Sequence, residues 1–388
     1  MRFIFSVCLF SFFVFSCTLQ KNKLPDFIKV WGDTIQIDIK TNRSNISHPI
    51  LSIDSVFVEL PGFSINSQPL FSLKDSLILL ATSKSDNAYV IDLSSFHKIR
   101  EYKMKPTIKI NKSDTQGSNC ALDLSIDLHA LDFYTNEDII LQIENKLIMI
   151  NSQGDITDSV IFNDNKLWYS NLYDVPVEYN PVTKKIYVYK YCYACKQQSA
   201  AYYSYSVESS IDIITKKIEE ENIKFPEIYN HFGLLAMESV SRTSFNNYQY
   251  FTFFPDHRIY EYNVLDKKNT VYGGQSAYST GKIRTVNKKE TDFDAMLSQM
   301  VYTDLYLKLV YDDINRRYYR LFLHPAMVNP VNGHIKYDFY IQIFSKDFSL
   351  EDEIKFDRLG PNYFSYGGKL YWIVLKPNGA MFYGYTFS

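Results

Sequence analysis

Apolar and polar residues alternate in short runs along most of the chain, and turn residues separate one run from the next. Alternation with a period of two is typical of β-strands that bury one face. One unit recurs: a short apolar entry, a polar turn, two strong strands joined by a loop, and a weaker outer strand. The second strands of six such units are predicted at Ser76–Leu80, Asp138–Ile143, Lys185–Tyr191, Tyr248–Phe253, Tyr318–Leu323 and Lys369–Leu375.

The remaining strands of each unit follow in the same order. Third strands are predicted at Ala88–Leu93, Lys146–Ile150, Tyr202–Val207, Arg258–Val264, Asp338–Phe344 and Met381–Phe387. Outer strands are predicted at Lys98–Lys103, Asp158–Phe162, Lys217–Phe225, Thr270–Gly273 and Asp352–Phe356. The sixth unit has no outer strand after its third, but Asp54–Leu60 (DSVFVEL) resembles the outer strand at Asp158–Phe162 (DSVIF) and can supply it.

A sheet unit that borrows a strand from the other end of the chain indicates a closed ring. Four-stranded blades arranged radially protect most of their edges, and a blade built from both ends locks the circle. The sequence therefore predicts an all-β fold, a six-bladed β-propeller whose last blade is closed by an N-terminal strand. Seven blades are the alternative count, and a pair of β-sandwiches is the rival fold.

The first 16 residues predict a signal peptide. Arg2 is followed by the apolar run Phe3–Phe15, whose 13 residues are too few for a membrane span of roughly 20. Val14-Phe15-Ser16-Cys17 resembles a lipobox, which implies that Cys17 is acylated and becomes the first residue after cleavage. The domain interpretation is therefore a signal at 1–16, a lipid-anchored tether at 17–29 and a propeller at 30–388. A secretory signal with an incidental cysteine is the alternative.

Composition supports strands and names no partner. Aromatic residues make up 16% of the chain, mostly Tyr and Phe, and such residues favour half-buried pleated surfaces. The formal net charge is −2, from 41 basic and 43 acidic residues, which gives no general field for nucleic acid or an anionic membrane. Nucleic acid is therefore not expected as a partner.

The longest irregular segments should share one face. Strand direction alternates within a blade, so the loop after the second strand and the connection to the next blade emerge on the same side. The long segments are nearly all of these two kinds, and long loops on a rigid scaffold commonly carry binding sites. They are Pro106–His129, Asn163–Pro176, Cys192–Ala200, Pro226–Thr243, Gln275–Tyr302 and His324–Lys336.

Three cysteines outside the leader could carry chemistry on that face. Cys192 and Cys195 form a Cys-x-x-Cys pair, and Cys120 lies in the loop that enters the neighbouring blade. A disulfide or inert thiols are the preferred interpretation in an oxidising compartment. A metal site that also uses His231 is the alternative, although the spacing matches no standard zinc motif, and a redox couple is less favoured.

Histidines supply the other candidate ligands. The loop from His324 to His334 contains two histidines and two asparagines, which could contact a ligand or could simply form turns. The chain lacks the common serine-hydrolase, zinc-protease, phosphate-loop and dinucleotide motifs. No catalytic residue and no cofactor is predicted.

The whole chain resembles uncharacterised envelope lipoproteins of Bacteroidota-type bacteria. The resemblance rests on the short Phe-rich leader that ends in Ser16-Cys17, the body rich in Lys, Asn, Ile and Tyr, and the propeller-like repeats. It implies an envelope lipoprotein, with the outer membrane favoured, and supplies no activity. The basic segment Thr18–Lys23 favours an anchor that faces the periplasm, with surface exposure as the alternative.

Three functions remain open at this point. The first is a binding or scaffold module for a protein or a glycan on the loop-rich face. The second is a polysaccharide-processing enzyme, a glycoside hydrolase or lyase, which requires two carboxylates facing each other at the channel mouth. The third is a structural or sensory component of the envelope.

Overall fold

The computed structural model describes residues 31–36, 40–44, 46–63, 65, 69–83, 85–104, 128–143, 146–162, 167–169, 177–192, 195, 200–231, 240–279, 281–286, 303–328, 335–357 and 362–388. Within them are 27 strands, β1 to β27, numbered in chain order. One short α-helix, α1 (Ala200–Ser204), and one 3-10 helix (Glu227–His231) accompany the strands. No helix in this part of the chain is long and apolar enough to cross a membrane.

Each of the first three blades is one antiparallel sheet. Blade 1 contains β3 (Pro69–Lys74), β4 (Leu77–Thr82), β5 (Asn87–Asp92) and β6 (His97–Lys103). Blade 2 contains β7 (Leu128–Phe133), β8 (Ile139–Ile143), β9 (Lys146–Ile150) and β10 (Ile156–Ile161). Blade 3 contains β11 (Leu167–Tyr169), β12 (Glu178–Asn180), β13 (Lys185–Cys192), β14 (Glu208–Asp212) and β15 (Ile218–Glu220), and its first strand is split between β11 and β12, which both pair with β13.

The other three blades follow the same plan. Blade 4 contains β16 (Val240–Phe245), β17 (Tyr248–Phe253), β18 (Asp256–Asn263) and β19 (Lys268–Tyr272). Blade 5 contains β21 (Leu305–Asp312), β22 (Arg317–Val328), β23 (Ile335–Ser345) and β24 (Leu350–Phe356). Blade 6 contains β25 (Tyr363–Tyr366), β26 (Lys369–Lys376), β27 (Gly379–Phe387) and β2 (Ile50–Glu59), and a separate pair is formed by β1 (Trp31–Gln36) and β20 (Lys282–Val286).

An N-terminal strand closes the ring. β2 pairs with β27 along its length, from Ile50 opposite Phe387 to Glu59 opposite Gly379. The prediction of a six-bladed propeller closed in this way is confirmed. The closing strand begins earlier than the predicted Asp54 because its first residues, on the solvent side, are too exposed to alternate clearly.

The third strand of blade 3 was predicted at the wrong place. Tyr202–Val207 is not a strand, since α1 ends at Ser204 and β14 begins only at Glu208. The alternating tyrosines resemble a strand, but Tyr203 lies outside the sheet and is buried by packing against Phe225. β14 reads as ESSID, and its buried residues are mostly polar, so hydrophobic alternation could not reveal it.

The core lies between the blades as a ring of apolar clusters. One cluster joins blades 6 and 1 through residues such as Phe382 and Ile91, and another joins blades 1 and 2 through residues such as Val90 and Leu141. The largest cluster runs through blades 3 to 6 and is rich in aromatic side chains. Because each sheet buries both faces, the described second and third strands are buried over most of their length.

The first strand of each blade lies innermost, since first strands of neighbouring blades contact one another. The turns from first to second strand and from third to fourth strand then share one face, here called the short-turn face. These turns are tight, and many contain one non-glycine residue with a left-handed backbone, such as Asp75, Lys216 and Asn246. The opposite face, here called the loop-rich face, carries the remaining connections.

Residues 40–44 and 46–49 form a strap along the outside of blade 5. The Asn42 carbonyl accepts a hydrogen bond from the Leu350 amide (2.8 Å), and Arg43 pairs with Glu353 (3.3 Å). His48 is buried, with Nε2 2.9 Å from Glu351 and Nδ1 2.8 Å from the Ser388 carbonyl. The strap therefore binds the start of β2 to blade 5 as well as to its own blade.

Candidate functional site

A polar cleft opens on the loop-rich face between blades 4 and 5. It forms where the turn between β17 and β18, the segment that follows β19, and the start of β21 meet. Its empty space is about 210 Å³, which includes the solvent at its mouth. The lining residues are Pro255, His257, Ser279, Gly281, Ile283, Thr303, Asp304 and Tyr306.

An aspartate and a histidine are paired at the cleft. Asp304 Oδ1 lies 2.7 Å from His324 Nδ1, and the imidazole is one-third exposed. Burial raises the pKa of Asp304, and hydrogen bonds from Ser279 and His324 oppose that rise. A carboxylate bonded to Nδ1 fixes the orientation of the ring and leaves Nε2 to accept or donate one hydrogen bond.

Thr303, next to this pair, buries a hydroxyl that has no hydrogen-bond partner among the described residues. A buried hydroxyl without a partner costs about 1–3 kcal/mol of desolvation. Thr303 lines the cleft, but its hydroxyl is closed to solvent, so a ligand group reaches it only when the surrounding side chains shift. Burial also raises the pKa of Tyr306, so the phenol stays neutral.

Aromatic rings extend from the cleft toward the surface. Tyr306, Phe322 and Tyr340 form a buried cluster, and the Phe322 ring centre lies 6.2 Å from that of His324. Tyr278 stacks on Tyr340 with ring centres 4.1 Å apart and planes at 20°, and it remains about half exposed. An exposed aromatic surface therefore lies beside the hydroxyl, carboxyl and imidazole groups.

Arg320 supports the floor of the cleft. Its fully buried guanidinium donates hydrogen bonds to Gln342 Oε1 (2.9 and 2.7 Å), to the His257 carbonyl (3.0 Å) and to the Gly274 carbonyl. It also lies 4.7 Å from the ring centre of Tyr306. Burial lowers the pKa of Arg320 to about 10, which leaves it charged near neutral pH. Gly274 is required, since a Cβ there would lie 2.7 Å from the His257 carbonyl oxygen.

A second polar cluster surrounds the central axis at blades 2 to 4. Arg242 and Glu208 are fully buried and paired, and Arg242 Nε lies 3.3 Å from Glu178 Oε2. Asp132 accepts hydrogen bonds from Ser72 and from the Tyr179 amide. Burial raises the pKa of Asp132 to about 7, with these bonds opposing the rise. Asp132 and Glu178 lie on neighbouring inner strands, side by side rather than across the channel mouth.

The structure joins two of the three candidate cysteines. Cys192 and Cys195 form a disulfide with Cα atoms 5.3 Å apart, and Cys192 is buried. Cys120 and Cys17 lie outside the described residues. No group of three or more His, Cys, Asp or Glu side chains that could hold a metal occurs in the part of the chain that the structure describes.

The candidate histidines have three different outcomes. His324 lies at the cleft as described above, on β22. His231 ends the 3-10 helix, and its side chain is outside the described set. His334 also lies outside the described residues.

Sequence patterns did not single out Thr303, Asp304, His257 or Arg320. Asp304 stands immediately before a strongly apolar strand, at its loop-rich end. That position could have marked Asp304 as a candidate site residue. Arg320 occupies a strand position where alternation would have suggested an apolar residue. Gln342 faces it on the neighbouring strand of the same blade, but the His257 and Gly274 carbonyls come from blade 4, so no local pattern predicts the whole set.

Fold and cleft together define a six-bladed propeller closed by an N-terminal strand, with its candidate site between two blades on the loop-rich face. The chain belongs to the family described as "Domain of unknown function (DUF4221)", whose model matches residues 129–355. The match begins in β7 and ends in β24, and therefore spans blades 2 to 5. No curated protein matches the sequence.

Two solved structures from Bacteroides are similar to the chain. A DUF4221 family member from Bacteroides vulgatus is 14% identical, with a TM-score of 0.66 over 90% of this chain and 99% of that one. A protein of Bacteroides fragilis described as exported is 9% identical, with a TM-score of 0.52 over 89% of this chain and 98% of that one. At these identities the likeness shows the propeller fold alone.

Proposed function

We propose that the protein is an exported, lipid-anchored binding module whose loop-rich face holds a polar, uncharged group of its ligand in the cleft between blades 4 and 5. The cleft carries the proposal, because it gathers an oriented Asp304–His324 pair and the Thr303 hydroxyl, which has no partner among the described residues. A binding site that keeps such a hydroxyl gains its hydrogen bond only when a ligand is present.

The chemistry of the cleft favours a sugar hydroxyl or a peptide amide. Among the described residues no Lys or Arg lines the cleft, and the Asp304 carboxyl would oppose an anion. The part of the cleft that a water-sized group can occupy is about 10 Å³, which is about the room that one water takes, so the cleft holds a single small group while the rest of the ligand lies outside it. The exposed ring of Tyr278 beside it offers a surface for an apolar sugar face or an aliphatic side chain.

Thr303→Val separates a binding role from a structural one. Valine has nearly the same shape and removes the buried hydroxyl, so we expect the free energy of unfolding to rise by about 1 kcal/mol. A glycan array or a tripeptide library first identifies the best ligand. We expect the affinity for that ligand to fall about tenfold, because the variant loses one hydrogen bond. Urea denaturation and calorimetric titration measure the two effects.

Thr82→Val is the matched control. Thr82 also buries a hydroxyl without a partner among the described residues, but in blade 1 and away from the cleft. It should gain stability and keep full binding. Unchanged binding by Thr303→Val, or an equal loss in both variants, would refute the cleft as the binding site.

Lipid attachment is tested by metabolic labelling with an alkyne fatty acid. We expect the wild type to be labelled and Cys17→Ser to be unlabelled, because only the cysteine at the lipobox-like site is acylated. Cys8→Ser is the control, since Cys8 lies within the predicted leader, and it should label like the wild type. Label that persists in Cys17→Ser would contradict the anchor.

An enzyme is the second candidate, and the Asp304–His324 pair favours it. An imidazole oriented by a carboxylate can accept a proton through Nε2. His324→Gln would then abolish turnover of a ligand that it still binds, whereas a pure binding module shows no turnover in either protein.

A further inference from the structure

One six-residue turn recurs on the short-turn face of blades 3 to 5. It begins with Asn or Asp, has an aliphatic residue third, and ends with two basic residues, of which the first is left-handed. The leading side chain accepts a hydrogen bond from the amide of the third residue. The four turns are Asn180–Lys185, Asp212–Lys217, Asn263–Lys268 and Asp312–Arg317.

The third residue of each turn, here called the tip residue, points into solvent. Exposed aliphatic side chains are costly when they form a group, and such groups mark interaction surfaces. The tip residues and their exposed fractions are Val182 at 60%, Ile214 at 83%, Leu265 at 55% and Ile314 at 65%.

All four turns lie on one side of the molecule. Two join first to second strands and two join third to fourth strands, so strand alternation places them together. Contacts link the turns of adjacent blades, such as Asn180 Nδ2 to the Asn246 carbonyl (3.4 Å) and Lys267 to Glu219 (3.9 Å). The tips therefore share the short-turn face of blades 3 to 5.

Turn geometry does not require an aliphatic tip. The turn that begins at Asp92 in blade 1 has the same design, with the Ser94 amide bonded to Asp92 Oδ1 (3.0 Å) and Phe96 left-handed at φ 54°. Its tip is Ser94, a polar residue. The aliphatic tips of blades 3 to 5 are thus an addition to the turn rather than a condition for it.

Basic residues surround the tips. The four turns contain eight Lys or Arg and four Asp, and three of the aspartates, Asp212, Asp266 and Asp312, accept hydrogen bonds from amides of their own turns. Glu219 pairs with Lys185 and Lys217, and Asp158 pairs with Lys216. No described carboxylate pairs with the basic residues Lys184, Lys268 and Arg316.

From this combination we infer that the short-turn face of blades 3 to 5 docks on a bilayer surface that carries anionic headgroups. Aliphatic tips can enter the headgroup layer while the neighbouring Lys and Arg side chains contact lipid phosphates. The near-neutral charge of the whole chain conceals this sector because acidic residues elsewhere offset it. Docking in this way points the cleft away from the bilayer. The cleft variants Thr303→Val and His324→Gln should therefore leave bilayer docking unaffected.

The test compares the acetylation rates of individual lysines with and without a bilayer. A water-soluble amine reagent acetylates the full-length protein, first in solution and then in the presence of phosphatidylcholine vesicles that contain about a third phosphatidylglycerol. We expect Lys184 and Lys268 to react about fivefold more slowly on vesicles. Lys103 and Lys336 are exposed away from this face and should react at unchanged rates.

The test variant carries serine at all four tips: Val182→Ser, Ile214→Ser, Leu265→Ser and Ile314→Ser. It should fold normally, since Ser94 occupies the same turn position, and vesicles should no longer protect its lysines. A control with Leu51→Ser, Ile53→Ser, Ile99→Ser and Ile161→Ser removes equally exposed aliphatics from the outer strands and should keep the protection.

Five outcomes overturn the proposal. In the first, Lys184 and Lys268 are as reactive on vesicles as in solution, and in the second, the serine variant keeps full protection. Protection of Lys336 instead would place the loop-rich face on the bilayer. Protection that appears without vesicles and grows with protein concentration would assign the face to a second copy. Equal protection on pure phosphatidylcholine would refute the need for anionic headgroups.

Discussion

Replacing Arg320 with alanine is expected to lower the free energy of unfolding by about 3–5 kcal/mol, the range for removal of one partner from a buried charged network. The substitution removes the guanidinium donor from the His257 carbonyl, the Gly274 carbonyl and Gln342 Oε1. It also leaves a cavity beneath Tyr306. Chemical denaturation followed by circular dichroism measures the change.

Arg317→Ala is the matched control. Arg317 lies on the same strand, partly exposed, where it bonds to the Ser388 carbonyl and faces Glu351. Partly exposed pairs contribute little, so a loss below about 1 kcal/mol is expected. If the two substitutions lowered the free energy of unfolding equally, the buried network at Arg320 would contribute no more to stability than the exposed pair at Arg317.

Removal of the closing strand should have the largest effect of all. A chain that begins at Pro61 lacks β2 and the strap, which exposes the outer edge of β27 and the apolar cluster between blades 6 and 1. An unpaired edge strand with a buried face exposed favours aggregation. We expect no cooperative unfolding transition in calorimetry, and mostly insoluble protein.

Two further proteins make this test specific. A chain that begins at Lys40 keeps the strap and β2, and should unfold cooperatively. Gly379→Val keeps every residue of β2 but places a Cβ about 2.5 Å from the Val58 carbonyl oxygen, so it should destabilise the closure strongly. A cooperative, wild-type-like transition from the Pro61 chain would disprove the closing role of β2.

Most of the fold could be predicted from the sequence because each blade buries both faces of its second and third strands. Strong apolar strands such as β17 and β26 therefore stand out between polar turns, and β17 has the predicted bounds. Prediction failed at β14, where Glu208 is buried because Arg242 of the next blade neutralises it. A partner supplied by another blade leaves no trace in the local pattern.

The candidate site was predictable only in outline. Strand alternation predicted a loop-rich face, and His324 stood out within its loop. The residues that make the cleft specific, Thr303 and Asp304, meet His257 only after two blades have packed together. Sequence alone could not assign them to one site, because the contact joins chain segments that are far apart.

The pairing of β2 with β27 also governs when the molecule can finish folding. Contacts between residues so distant in sequence form late, since loop closure must precede them. β2 leaves the ribosome among the first strands, yet its partner is among the last, so Val58, which the closed ring buries, stays exposed until β27 arrives. Synthesis that stops before Gly379 yields an open ring, which proteases and aggregation can remove. Closure of the last blade therefore acts as a check that the polypeptide has been synthesised through β27.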